Sequence, residues 1–412
     1  MNSTYLDSCN TTECFGCSAC EAICPVGAIS MKYDAEGFNY PVIDEDACIH
    51  CDRCRKVCPA PMANSLQEPQ EQMEAFGGSH RDPQVLERST SGGAFSALAQ
   101  TWLLQPDSLC WGAVADENDP LKIHHDFVEG YENIDKLRRS KYVQSQMGDS
   151  FKLVVQQLKE GRQVMFVGTP CQVAGLKSFM QLKASKFSDR LLLVEVMCEG
   201  VPTPHFMEKY VASLEQDRQA KVTSFDWRFK HGRRWDFEFM RAGFESGKEQ
   251  LIARWFNPFW SIWLKHLMNR PSCYACPFAT RDRVADLTIA DLWGVHIYCP
   301  DLYARNAGAS LVLQNTEKGR MFWQEAQQLM EGHKLDLDDV VRFQGPMRDH
   351  IAENPDRPQF MAEVIDPAVG YEELCRKWAD EPSAKLLFQK YLWGNRQKVA
   401  LWRLLHPRNR QD

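Results

Sequence analysis

Cys14-Phe-Gly-Cys17-Ser-Ala-Cys20-Glu-Ala-Ile-Cys24-Pro25 and, 34 residues further on, Cys48-Ile-His-Cys51-Asp-Arg-Cys54-Arg-Lys-Val-Cys58-Pro59 are two copies of one pattern, C-x2-C-x2-C-x3-C-P. Three thiolates spaced two residues apart on one loop can grip three irons of a cube. The fourth cysteine, a helical turn away, reaches the cube held by the other loop. The spacing therefore assigns one [4Fe–4S] cluster to Cys14, Cys17, Cys20 and Cys58, and a second to Cys48, Cys51, Cys54 and Cys24. Pro25 and Pro59 turn the chain back toward the other copy. Structural zinc is the competing reading, but zinc sites usually show two separated cysteine pairs rather than three close cysteines and a fourth before proline.

The rest of the composition agrees with metal rather than disulfides. The chain has 412 residues and sixteen cysteines, nine of them within the first sixty residues. Its start carries neither a basic nor an apolar leader, so no secretory signal is read and a reducing, cytoplasmic setting is expected, where thiolates bind metal instead of pairing. No run of eighteen apolar residues occurs, so no membrane span is expected. A net charge of −7 argues against nucleic acid as a partner.

Residues 1–62 are thus read as a two-cluster ferredoxin-like domain. Residues 63–75, rich in Pro, Gln and Glu, read as a linker. Beyond it, β-branched apolar runs at Val164–Val167, Leu191–Val196, Leu287–Ala290 and Ser310–Leu313 predict buried strands. Helical periodicity at Gly93–Leu103 and Phe151–Lys159 lies between them. The expected architecture is an α+β ferredoxin-like unit, a mixed α/β domain over 76–345 and a helical C-terminal extension over 346–412. That extension becomes basic (Lys385, Lys390, Arg396, Lys398, Arg403, Arg408, Arg410) among Leu, Phe, Tyr and Trp. It reads as a helix packed on its own domain or as a docking helix for a partner or membrane surface.

Four further cysteines occupy telling places. Cys171 follows one predicted strand and Cys198 another, and Cys273 and Cys276 form a C-x2-C pair. Ligands of open α/β sheets gather at the carboxyl ends of strands. By spacing alone, a third cube, a four-thiolate zinc site or inert buried cysteines remain open readings. Cys9, Cys110, Cys299 and Cys375 lack partners at ligand spacing and read as small apolar residues. His124 and His125 likewise lack ligand partners, and the aromatic run Arg254–Trp263 reads as core or interface. Arg228, Lys230, Arg233 and Arg234 form a basic segment, read as a solvated strand edge or as a docking site for an acidic carrier or anionic substrate. No G-x-S-x-G, H-E-x-x-H or P-loop pattern is present.

The segments SKYVQS (140–145), GTPCQVAGLK (168–177), CEGVP (198–202), RPSCYAC (270–276) and DLTIADLWG (286–294) together resemble the family of coenzyme F-420 hydrogenase and dehydrogenase beta subunits. That family is similar to 7-hydroxymethyl chlorophyll a reductase, and the resemblance covers roughly residues 76–345. It implies a third [4Fe–4S] cluster on Cys171, Cys198, Cys273 and Cys276 beside a flavin, FAD with FMN as the alternative. Many relatives carry His where this chain has Glu199. The resemblance also implies flavin contacts at Ser91, Gly92 and Gly93, where a Gly-Gly turn opens a helix, at Lys141, Tyr142 and Ser145, at Thr169, and at Asp291, Trp293 and Gly294. Catalytic residues are not identified. Three functions are expected to compete: a reductase joining ferredoxin-type clusters to a flavin and a two-electron partner, an electron-transfer subunit of a larger complex, and a metal-stabilised sensing protein. Ferredoxin or another redox protein, and a hydrogenase- or dehydrogenase-type subunit, are the expected partners.

Overall fold

A computed structural model describes residues 4–69, 73–231, 235, 238–305, 307–393 and 395–405. Arg233, Arg234, Arg408 and Arg410 lie outside the described residues.

The duplication in the sequence is a duplication in space. Each cysteine loop leads into a five-residue helix, Ala19–Ile23 or Arg53–Val57, through a residue in the left-handed region, Ser18 (φ 59°) or Asp52 (φ 57°). Each helix ends on its fourth cysteine, with the Cys24 amide donating to the Glu21 carbonyl and the Cys58 amide to the Arg55 carbonyl at 3.3 Å. Between them β1 (Ile29–Tyr33) and β2 (Asn39–Ile43) form an antiparallel hairpin.

The remainder is built on an eight-stranded mixed sheet. Its strands are β3 (Glu74–His80), β4 (Ser108–Ala115), β5 (Ile123–Val128), β6 (Gln163–Gly168), β7 (Leu191–Val196), β11 (Leu287–Asp291), β12 (Ser310–Gln314) and β13 (Met330–Leu335). They run in the order β13-β3-β12-β11-β7-β6-β4-β5. The four central neighbours β11, β7, β6 and β4 are parallel, which is why their sequences are continuously apolar. A smaller antiparallel sheet of β8 (Val222–Phe229), β9 (Phe239–Phe244) and β10 (Glu249–Ala253) stands beside it.

Alternation along the strands sorts the two faces. Met165, Val167, Leu192 and Val194 pack under the helices Ala94–Leu103 and Glu317–Ala326. Val164, Phe166, Leu191 and Leu193 face the helices Ser150–Lys159 and Pro170–Lys183. The same core continues into Phe15, Cys17, Ala19, Ile23 and Val57 of the N-terminal unit. That unit is therefore part of the covering layer of the sheet rather than a detached bead.

The contact is close because a glycine permits it. A Cβ on Gly175, one turn beyond Cys171, would lie 3.1 Å from the Cys17 Sγ and 3.2 Å from its Cβ. Residues expected as a linker are fastened as well. Ala63 and Leu66 are buried. Lys177 Nζ donates to the Leu66 carbonyl, to Glu68 and to the Val284 carbonyl at 2.7–3.1 Å. Glu68 and Arg283 exchange backbone hydrogen bonds. The large sheet already begins at Glu74.

The C-terminal extension divides in two. The helices Arg357–Ile365 and Tyr371–Trp378 bury Phe360, Met361, Val364 and Leu374 in one core with Trp260 and Trp263, so they belong to the large domain. The aromatic run is likewise core. Beyond residue 384, Leu387, Phe388, Leu392, Leu404 and Leu405 are exposed, while Val399 is buried. No described helix is long and apolar enough to cross a membrane.

Arg283 also pairs with Glu195 of β7, both essentially fully buried, and Glu195 further accepts from Thr288 Oγ1 at 2.9 Å. Breaking a buried pair from one side strands the remaining charge, at a cost of about 3–5 kcal/mol. Arg283→Met should lower unfolding stability by that amount in chemical denaturation, and adding Glu195→Gln should recover part of the loss.

Candidate iron–sulfur and cofactor sites

The thiols of Cys14, Cys17, Cys20 and Cys58 converge on one small cavity walled by Phe15, Met31 and Pro41. Burial, reinforced by the neighbouring thiols, pushes Cys17 and Cys20 well above the usual thiol range. Burial chiefly pushes Cys58 up to about 11. Four crowded thiols in an apolar pocket cannot ionise together without a cationic centre between them, which is the donor set of a cube. Cys54 also lines this cavity, while Cys24, Cys48 and Cys51 do not. Cys51 is exposed and the others half-buried, and the Ala28 amide donates to Cys24 Sγ at 3.2 Å.

The other four cysteines meet at the carboxyl ends of adjacent parallel strands. Cys171 sits in the first turn of the helix that follows β6, and Cys198 stands two residues beyond β7. Cys273 lies within the short turn Pro271–Ala275 and Cys276 closes it. All four line one cavity of about 560 Å³. Burial pushes Cys273 up to about 11 and Cys276 up to about 12. It also drives Cys198 well above its ordinary range, with the Cys273 and Cys171 thiols adding to the effect. The same chemical test is met: these are thiols poised for a shared metal centre.

A second cavity, of about 320 Å³, adjoins the first, and Cys171, Cys198 and Glu199 line both. Of the residues expected at a flavin, Ser91, Gly93, Lys141, Tyr142, Ser145, Thr169, Asp291 and Trp293 line this second cavity. Gly92 and Gly294 do not. Gly92 is pressed against the Gly78 carbonyl and the Ser310 amide, where a Cβ would clash at 2.3–2.4 Å. Gly93, at φ +85°, starts the helix Ala94–Leu103 from the left-handed region.

Several of these side chains are already engaged. Lys141 Nζ donates to the carbonyls of Lys136, Leu137 and Arg138 at 3.0–3.3 Å, and burial brings it down to about 7. It therefore caps a backbone turn in the cavity wall. Tyr142 stands edge-on to Trp260 and Trp263. Asp291 pairs with Arg228 at 2.6 Å, and Arg228 also holds Glu238.

The described part of the basic segment, Arg228 and Lys230, is consequently not a solvated edge. Arg228 is buried. Lys230 Nζ donates to the carbonyls of Leu86, Ser91 and Ala307, tying the helix Pro83–Arg88 to two loops. Internal carboxylates and carbonyls neutralise what looks, in the sequence, like a charged edge. Even so, among the described residues Arg228 Nη2 and Arg254 Nε have no hydrogen-bond partner, and both side chains line the cavity. Orphaned donors in a cavity wall fit a polar, anionic ligand such as a flavin nucleotide.

A polar chain links the two cavities. His125 Nε2 donates to the Val167 carbonyl at 3.1 Å, which makes its Nδ1 the acceptor for Ser145 Oγ at 2.8 Å. Gln172 Nε2 donates to Ser145 Oγ, and Gln172 Oε1 accepts the Thr169 amide. Thr169 Oγ1 lies 3.1 Å from Gln172 Oε1 and 3.2 Å from Cys171 Sγ. Thr169 and Gln172 form a reciprocal cap on the helix, a T-x-x-Q signal present in the sequence. His125 and Arg270 carry no spacing signature and emerge only from the fold.

Residues 161–339 match the family model for the C terminus of the coenzyme F420 hydrogenase/dehydrogenase beta subunit. Residues 13–62 and 40–85 each match a 4Fe-4S dicluster domain. One subunit of the F(420)H(2) dehydrogenase of Methanosarcina mazei is 23% identical over 194 residues, covering 45% of this chain and 53% of that protein. The chain thus spans about half the length of that relative. Ferredoxin-3 of Chlorobaculum tepidum is 46% identical over 56 residues, 12% of this chain and 82% of that protein. A chain of the F420-reducing [NiFe] hydrogenase complex from Methanosarcina barkeri superposes on 65% of this chain and 86% of its own, with 17% identity and a TM-score of 0.44.

The His125 imidazole, fully buried and held at about 4 by desolvation, gives a pH signature. The unfolded chain takes up a proton near 6.5 that the folded chain refuses until about 4, so stability falls as pH drops through this window. At about 1.4 kcal/mol per unit, denaturation at pH 7 and pH 5 should differ by roughly 2 kcal/mol from this group. His125→Gln should remove that increment.

Proposed function

Because residues 161–339 match the C-terminal model of the coenzyme F420 hydrogenase/dehydrogenase beta subunit and residues 13–62 a 4Fe-4S dicluster domain, we propose that the chain belongs with those beta subunits and is an iron–sulfur flavoprotein oxidoreductase. In this reading, electrons pass between three [4Fe–4S] clusters and one flavin, FAD, which serves a two-electron partner. The observation that carries it is the shared wall: Cys171, Cys198 and Glu199 line both the four-thiol cavity and the cavity with orphaned arginine donors. A flavin exchanges single electrons with clusters and electron pairs with a hydride partner, so it joins the two kinds of transfer.

The chain's own residues set the order of the path. The outer thiols of Cys24, Cys48, Cys51 and Cys54 lie nearest solvent, where a ferredoxin or another redox protein docks. The thiols of Cys14, Cys17, Cys20 and Cys58 come next, with Cys17 against Gly175. Cys171 stands one turn before Gly175, and the flavin cavity lies behind it.

A second reading is favoured by the family itself: an electron-transfer subunit of a hydrogenase- or dehydrogenase-type complex with no substrate of its own. The third, a sensing protein whose clusters never turn over, has the least support. Screening reduced ferredoxin, nicotinamides and F420 as donors separates the first two.

Anaerobically purified protein should contain about twelve irons and one flavin per chain. Eight irons without flavin would remove the large-domain reading. Cys171→Ser should lower the iron content and leave the eight N-terminal irons in place. Thr169→Val removes a hydroxyl aimed at the Cys171 sulfur, and hydrogen bonds to cluster sulfurs raise potentials. One of the three clusters should therefore become harder to reduce in a redox titration, at unchanged iron content.

A further inference from the structure

Arg270 is a buried cation of a kind that cannot shed its proton. Its side chain is 1% exposed, yet all three of its hydrogen bonds go to neutral acceptors. Nε donates to the Cys14 carbonyl at 2.8 Å, Nη1 to Gln144 Oε1 at 3.1 Å and Nη2 to the Asn39 carbonyl at 2.7 Å. Its guanidinium also lies over the Tyr40 ring, 4.3 Å from the centroid. Among the described residues, no carboxylate forms an ion pair with it. A buried guanidinium without a counter-charge is costly, and proteins ordinarily pair such groups.

The surroundings hold another kind of anion. Arg270 lines the cavity of Cys171, Cys198, Cys273 and Cys276. Its Nε bond ends on the backbone of Cys14 in the neighbouring set, and its charge favours the thiolates of Cys14, Cys171 and Cys273. It is a cation set between two groups of four thiols. A cube held by four thiolates carries net negative charge, and one more negative charge on reduction. A fixed, desolvated cation nearby therefore stabilises the reduced form more than the oxidised one.

We propose that Arg270 is the shared counter-ion of the cluster held by Cys14, Cys17, Cys20 and Cys58 and the cluster held by Cys171, Cys198, Cys273 and Cys276, raising the potentials of both. This rests on the three-cluster reading above. Arg270 is an electrostatic and positioning residue. The same guanidinium that joins the N-terminal unit (Cys14, Asn39) to the large domain (Gln144) keeps two successive stations of the path easy to reduce. Among the described residues Arg270 makes no hydrogen bond to Cys24, Cys48, Cys51 or Cys54, and the cation beside Cys54 is Arg55.

The test is an EPR-monitored redox titration of anaerobically purified full-length protein, with iron and sulfide measured in every sample. Arg270→Met should make two of the three clusters harder to reduce, by about tenfold in the reduction equilibrium, or about 59 mV for a one-electron couple, and leave the third unmoved. Arg270→Lys should restore part of the shift. Because Arg270→Met also removes three hydrogen bonds, Gln144→Glu provides an independent arm. It keeps Arg270 in place and puts a carboxylate on its Nη1, so the same two potentials should fall without loss of iron. Unchanged potentials in Arg270→Met and Gln144→Glu at full iron content would overturn the proposal, as would an equal shift of all three clusters. A wild-type protein with only eight irons would instead refute the third cluster. Arg270 would then have to move the inner N-terminal cluster alone, and no shift there would overturn the proposal too.

Discussion

Everything in this molecule depends on how closely Cys17 can approach the helix Pro170–Lys183. Electron transfer between buried centres is a matter of distance, and distance between two packed units is set by the side chains at their contact. Gly175 supplies none, so the cysteine loop of the N-terminal unit rests directly on helix backbone, one turn from Cys171. Any larger residue would have to displace Cys17 itself. The shared core of Phe15, Ala19, Ile23 and Val57 with Val173 and Leu176 then follows from that approach. It removes the apolar surface of both units from water together.

The cavities show why burial and chemistry are inseparable here. Thiols, two arginines and two lysines are held in an interior that disfavours every one of their charges. The protein answers differently for each. Arg228 receives carboxylates from Glu238 and Asp291. Lys141 and Lys230 receive backbone carbonyls and are pulled down to about 7 by desolvation. The cysteines receive chiefly one another, a few amide and hydroxyl groups and the nearby charge of Arg270, which is the sign of a site completed by something other than protein.

Much of this was legible in the sequence, for physical reasons. The four central apolar runs fall within a residue of β6, β7, β11 and β12, because strands covered on both faces leave no ambiguity of pattern. The two cysteine motifs fix their own loops and helices. What the sequence hides is partnership. Arg228 and Lys230 read as an exposed basic edge because charge in a sequence carries no record of the Asp291 and Ser91 that await it 63 and 139 positions away. Polar residues 63–69 read as slack for the same reason: Glu68 and Gln67 are hydrophilic because they meet Lys177 and the Pro277 carbonyl, not because they meet water. The helices Arg357–Ile365 and Tyr371–Trp378 are core because their apolar faces find Phe206 and Trp263.

The fastened segment at 63–69 has a consequence for the rate of the whole path. Many redox modules on tethers carry charge by swinging, so each turnover waits for a domain to diffuse through solvent. Here Lys177 closes on Leu66, Glu68 and Val284 together, and Arg357 grips Glu36 of the hairpin from the opposite side. With the N-terminal unit bolted at both ends, internal passage involves no tumbling step and is indifferent to the viscosity of the medium. On the proposed path, only an encounter at the outermost cysteines would then feel the solvent.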